Sequence, residues 1–117
     1  MPYCIVFPGQ GTQFKGMSEG LSLSGVPDGL KKLMAEGPEE ELNLTIHAQP
    51  AVLSVSIALW KESGFSSPLM VMGHSLGEYS ALVASGALNL PDALPLVRKR
   101  GEFMQASPDG TMAAVMG

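Results

Sequence analysis

The sequence predicts an α/β fold with a short, mostly parallel sheet flanked by helices. Three observations point there: two short apolar runs (residues 3–7 and 68–72), a long helical stretch between them, and two further helical stretches after the second run. Strands separated by helices in this way pair in parallel, because a parallel connection needs a crossover.

The first run, YCIVF at 3–7, stops at Pro8-Gly9 and reads as a strand buried on both faces. Cys4 within it is expected to be a buried strand residue and not a reactive thiol. The glycine-rich turn at 9–13 follows, where backbone can pass close to a ligand. Residues 18–29 carry Gly, Ser, Leu and Pro without period and read as loop. Short helical pieces are expected at 30–36 and 39–42, separated by Gly37-Pro38. The best helix is 50–63, with Pro50 in its first turn, a broad apolar face of Val52, Val55, Ile57, Leu59 and Trp60, and Gly64 as its stop. PLMVM at 68–72 is a second buried strand that runs straight into Gly73. Helices are expected from Leu76 to about Ser85 and over 91–104, the latter with Pro91 and Asp92 in its first turn. The run 112–116 reads as a further strand.

Composition limits the classes of function. The chain has 117 residues, 45% hydrophobic and 15% charged, enough apolar material for a core in one small domain or part of a larger one. A net charge of −4 argues against a nucleic-acid partner, since phosphate binding needs a basic excess. One cysteine allows no internal disulfide and fits a reducing compartment. The longest apolar stretch, 51–60, is too short to span a bilayer and carries Ser54 and Ser56. With no leader visible, a cytoplasmic location is expected and no membrane partner. No metal-ligand cluster, phosphate loop or dinucleotide signature is present, so no bound cofactor is expected.

The chemistry concentrates at Gly73-x-Ser75-x-Gly77, which lies between a predicted strand and a predicted helix. That is the nucleophile-elbow pattern. A serine on so sharp a turn takes a strained backbone, and only glycines two residues before and after it escape collision. The turn lifts the hydroxyl off the sheet and sets it at a helix amino terminus, where free N–H groups favour negative charge. The N–H of Leu76 can point at a developing oxyanion. The plainer alternative is a serine helix cap between two packing glycines.

GHSLGEYSAL at 73–82 is more specific than the elbow. With FPGQGTQ at 7–13, QPA at 49–51 and RGEFMQ at 100–105, it resembles the malonyl-CoA:acyl carrier protein transacylases and the related acyltransferase domains of polyketide and fatty acid synthases. The four motifs stand in the family's order and reach nearly the whole chain.

The resemblance implies an α/β hydrolase-like core whose Ser75 takes malonyl from CoA as an ester and passes it to acyl carrier protein. It further implies an oxyanion hole of the Gln10 and Leu76 amides, and Arg100 holding the free carboxylate of the malonyl group. A planar guanidinium suits a carboxylate independently of the family. Gln49 is expected to be structural or peripheral, His74 to support or pack, and His47, in a polar loop, to be unrelated to the chemistry.

The family's histidine base and its second, ferredoxin-like subdomain lie beyond the segment that this chain matches. Residues 1–117 are therefore read as a partial core, with 112–117 leading toward that subdomain and a carboxyl-terminal half supplying the base. The stretch between Met17 and Gly37 also reads as shorter than in the family. Two rival functions share parts of the pattern. A serine esterase or thioesterase would use Ser75 but not Arg100. A non-catalytic half-domain binding CoA or carrier protein would form no acyl-Ser75.

Overall fold

The computed structural model describes residues 1–117. Two strands, β1 (Cys4–Phe7) and β2 (Met70–Gly73), pair in parallel, and the long helical connection between them is the crossover that a parallel pair needs. Five helices complete the fold: α1 (Asp28–Glu36), α2 (Glu39–Leu42), α3 (Thr45–Glu62), α4 (Gly77–Ala84) and α5 (Leu90–Gln105).

The core lies among the helices, not around the sheet. In α3 every residue from Ala48 to Ala58 is buried, so this helix is the central post against which α1, α2, α4 and α5 rest. Leu33, Met34, Leu42, Leu76, Leu94 and Val97 close around it. Ser54 stays satisfied inside the core by donating to the Pro50 carbonyl at 2.7 Å. Helices α3 and α5 approach closely at Gly101, where an added Cβ would stand 2.9 Å from the Thr45 carbonyl oxygen. The start of α5 is fixed by Asn89, whose side chain accepts from the Asp92 N–H at 2.9 Å.

Several expectations need correction. The helix expected from Pro50 begins at Thr45, so Pro50 lies inside it and His47 is helical rather than in a loop. Its proline was a misleading start signal: the buried packing of α3 outweighs the lost N–H and the crowding of the preceding turn. Helix α1 starts at Asp28, two residues earlier than expected, directly after Pro27.

The strands are not buried on both faces. Cys4 and Val6 are exposed, as are their register partners Met70 and Met72, while Phe7 is buried. The sheet alternates, and helices cover only one of its faces. Cys4 is on the open face, so the buried-thiol expectation fails with it. The strand expected at 112–116 does not form. Met112, Val115 and Met116 are almost fully exposed, with no neighbouring strand to take their backbone hydrogen bonds. No helix is long and apolar enough to cross a membrane.

Candidate active site

The site begins with the register of the sheet. Phe7 pairs with Gly73, so the loops after β1 and β2 leave side by side at the same edge. The His74 N–H donates to the Phe7 carbonyl at 3.1 Å, which carries the pairing one residue into the turn. Clefts beyond the carboxyl ends of parallel strands are where α/β proteins hold ligands.

The elbow is built as the sequence predicts. Ser75 has φ 54°, left-handed backbone that a non-glycine residue adopts only under strain. The flanking glycines are required by contact. A Cβ on Gly73 would come within 1.9 Å of the Gly77 carbonyl, and one on Gly77 within 2.4 Å of the Phe7 carbonyl oxygen. Strand, turn and helix thus touch backbone to backbone, which fixes where the Ser75 hydroxyl emerges. Leu76 anchors the turn with a fully buried side chain.

The N–H groups of Gly77, Glu78 and Tyr79 donate to the carbonyls of His74, Ser75 and Leu76. The Leu76 N–H donates to no protein acceptor, and neither does the Gln10 N–H on the loop after β1. Both amides belong to the two loops that leave the sheet together.

Arg100 comes from α5 and reaches the elbow. Its Nη2 donates to Ser75 Oγ at 3.1 Å, and its Nη1 donates to Gln49 Oε1 at 2.9 Å. The guanidinium carbon stands 5.7 Å from the centre of the Tyr79 ring. Gln49, expected to be structural or peripheral, is fully buried at the centre of this arrangement. Its Nε2 approaches Gln10 Oε1 at 3.4 Å and Met104 Sδ at 3.1 Å, while Gln10 Nε2 donates to Thr45 Oγ1 at 3.2 Å.

Sequence reasoning missed Tyr79, Thr45 and Met104. Thr45 and Met104 each stand four residues from a residue it had singled out on the same helix (Gln49 and Arg100), the spacing that puts two side chains on one helix face, while Tyr79 lies in the first turn of the helix that follows Ser75.

The histidines stand apart from this chemistry. His74 lies against Gly9, its Nδ1 3.0 Å from where a Cβ on that glycine would be. His47 lines a separate cavity of about 590 Å³ with Lys32, Glu41 and Arg98. His47 and Arg98 each stand two residues from a site residue, roughly 200° around their helices at 3.6 residues per turn, hence on the opposite side. Lys99 and Arg98 both approach Glu102, at 2.9 and 3.8 Å. The hydrogen bond from the Lys99 ammonium is the main cause holding the Glu102 carboxyl below its ordinary range. No group of three or more His, Cys, Asp or Glu side chains is placed to hold a metal ion.

A planar, donor-only cation beside a raised hydroxyl is an arrangement for a substrate that carries a carboxylate near an electrophilic carbon. Residues 29–117 match the model of a family described as acyl transferase domain. The chain belongs to that family.

Among relatives of this acyl transferase chain is the malonyl CoA-acyl carrier protein transacylase of Escherichia coli K12, 44% identical over 134 aligned positions. The protein of the same description from Bacillus subtilis 168 is 50% identical over 133. Both alignments run over more positions than the 117 residues of the chain, so gaps fall within it. They take in 98% and 97% of this chain but 43% and 41% of the relatives, so the chain spans under half their length.

The acyl-carrier-protein S-malonyltransferase of Burkholderia pseudomallei 1710b superposes with a TM-score of 0.80 at 43% identity, over 91% of this chain and 39% of that one. A malonyl-transacylase solved in complex with a type II PKS acyl-carrier protein gives 0.82 at 41% identity, over 95% and 41%.

Proposed function

We propose that this acyl transferase moves a malonyl group from CoA to the thiol of acyl carrier protein through an ester on Ser75. The observation that carries the reading is the hydrogen bond from Arg100 to Ser75 Oγ. It sets a fixed positive fork one hydrogen bond away from the nucleophile. A malonyl thioester has its reacting carbonyl and its free carboxylate separated by a single carbon. With the carboxylate on Arg100, the thioester carbon is brought toward Ser75. Acetyl would leave the guanidinium without its partner, so the same contact selects a diacid.

In the first half-reaction the Ser75 hydroxyl gives its proton to a base as Oγ attacks the thioester carbon. The negative oxygen is received by the Gln10 and Leu76 amides, each such donor being worth about 2.7–4 kcal/mol in an oxyanion hole. The carbon–sulfur bond breaks, and CoA leaves as a thiol after taking up the proton. The carrier's phosphopantetheine thiol then repeats the attack on the Ser75 ester and restores the hydroxyl. Neither the His47 nor the His74 side chain hydrogen-bonds to Ser75 Oγ, whose side-chain partner is Arg100, and the base belongs to the part of the relatives' length that this chain does not span. In the same reading, residues 1–117 are part of a hydrolase-like core completed by a second subdomain, CoA is a substrate carrier rather than a cofactor, and the enzyme works in the cytoplasm in fatty acid or polyketide synthesis.

The test is intact mass after mixing the protein at its natural length with malonyl-CoA. A malonyl adduct that disappears in Ser75→Ala, and that is discharged by holo carrier protein, is the expected result. Release of free malonate at the same rate without carrier protein would favour a hydrolase, and no adduct at all would favour a binding module.

A further inference from the structure

Gln49 joins the two halves of the site through a single side chain. It is completely buried, and its carboxamide faces Arg100 on one side and Gln10 on the other. The orientation of that amide follows from its neighbours. A guanidinium has only donors, so the amide oxygen must face Arg100. The nitrogen is then left to face Gln10 Oε1 and Met104 Sδ. Gln10 in turn is tied to the start of α3 through Thr45. One chain of polar contacts therefore runs from Thr45 through Gln10, Gln49 and Arg100 to Ser75.

The residue type matters as well as the position. A neutral amide orients the guanidinium without cancelling its charge, and the full charge remains for an incoming carboxylate. A glutamate here would accept the same hydrogen bond but would pair with the cation and compete with the substrate. An apolar residue of similar size would leave Arg100 Nη1 and the Gln10 side chain without their shared partner.

We propose that Gln49 is a positioning residue that couples acyl-group selection at Arg100 to the alignment of the Gln10 loop. Selection of a diacid and the rate of Ser75 acylation therefore change together when it is altered. This rests on the functional reading above. Gln49 touches no reacting atom in this scheme and acts through the two groups it holds.

The test measures acylation of Ser75 by mass against time, at varied malonyl-CoA and acetyl-CoA, for the protein at its natural length. Gln49→Glu is expected to lower the malonyl-over-acetyl preference by about 10- to 100-fold, mainly by raising the half-saturating malonyl-CoA concentration. Gln49→Met is expected to slow acylation by acetyl-CoA too, although acetyl has no carboxylate for Arg100. Because a buried change can impair folding, Gln10→Ala, at an exposed side chain, supplies the reciprocal arm. It is expected to reduce malonyl preference, and its effect should be non-additive with Gln49→Met.

Unchanged acetyl acylation in Gln49→Met, together with unchanged selectivity in Gln10→Ala, would overturn the coupling and leave Gln49 a simple prop for Arg100. Failure of the unmodified protein to acylate Ser75 would instead overturn the functional reading. The two failures are therefore distinguishable.

Discussion

Arg100 Nη2 donates to Ser75 Oγ at 3.1 Å, joining a helix and a turn that are 25 residues apart in sequence. The cation is held on its other side by Gln49 and flanked by the Tyr79 ring, so its fork is aimed before any substrate arrives. Pre-aimed groups save the ordering entropy that binding would otherwise cost.

Removing the fork should therefore cost diacid substrates selectively. Arg100→Ala is expected to slow Ser75 acylation by malonyl-CoA by roughly 10- to 150-fold, the equivalent of losing one charged hydrogen bond of about 1.5–3 kcal/mol. Acetyl-CoA should lose much less. Arg100→Lys keeps the charge but not the planar fork and should restore only part of the malonyl rate. Acylation rates for both thioesters, read by intact mass, check this, and an equal loss for the two would refute the assignment.

The strained turn gives a second expectation. Ser75 at φ 54° costs about 1–2 kcal/mol that glycine would not incur, against roughly 0.5–1 kcal/mol of extra glycine entropy. Ser75→Gly should abolish acylation and yet leave the protein as stable or up to about 1 kcal/mol more stable. Denaturant melts of the variant and the unmodified protein compare the two directly. A clear loss of stability would mean that the turn stores no strain.

The flanking glycines should behave in the opposite way. A Cβ at Gly73 or Gly77 meets backbone atoms, which cannot move aside as a side chain can. Gly73→Ala and Gly77→Ala are each expected to cost more than about 4 kcal/mol, or to prevent soluble folding. Gly29, in α1 with open space around it, is the control. There alanine should be neutral or stabilise by up to about 1 kcal/mol.

Most of this site was legible because its parts are local. The elbow needs five consecutive residues, and Ser75, Gly73 and Gly77 could be read from them directly. Arg100 and Gln10 were reached through the family resemblance, since nothing in the sequence alone says which helix face meets the turn. Gln49 was read as structural or peripheral, and its contacts could not be read from the sequence because they are tertiary. A buried amide beside Pro50 looks like packing until Arg100 is placed against it. The strands failed for a related reason. Apolar runs such as 3–7 predict burial only if both faces find a cover, and that depends on neighbouring elements that a short run does not encode. The α3 start was missed because Pro50 is a strong local signal overridden by eleven buried residues of tertiary packing.

Packing between α3 and α5 is expected to tune selectivity at a distance. Gly101 lets α5 approach α3 so closely that a Cβ there would meet the Thr45 carbonyl oxygen at 2.9 Å and Ile46 Cα at 3.0 Å. Both neighbours are backbone, so Gly101→Ala must push the helices apart, and the residue just before it on α5 is Arg100. Overpacking of this kind costs about 1–3 kcal/mol, which the melting curve should register. A shift of a few tenths of an ångström in α5 also lengthens the Arg100 contacts to Gln49 and Ser75 without touching either partner. Malonyl acylation should then fall more than acetyl acylation, although the elbow itself is intact. If both rates stay level while stability drops, the helix spacing serves the core alone. If malonyl alone falls, the distance between α3 and α5 is part of how the site tells a diacid from acetyl.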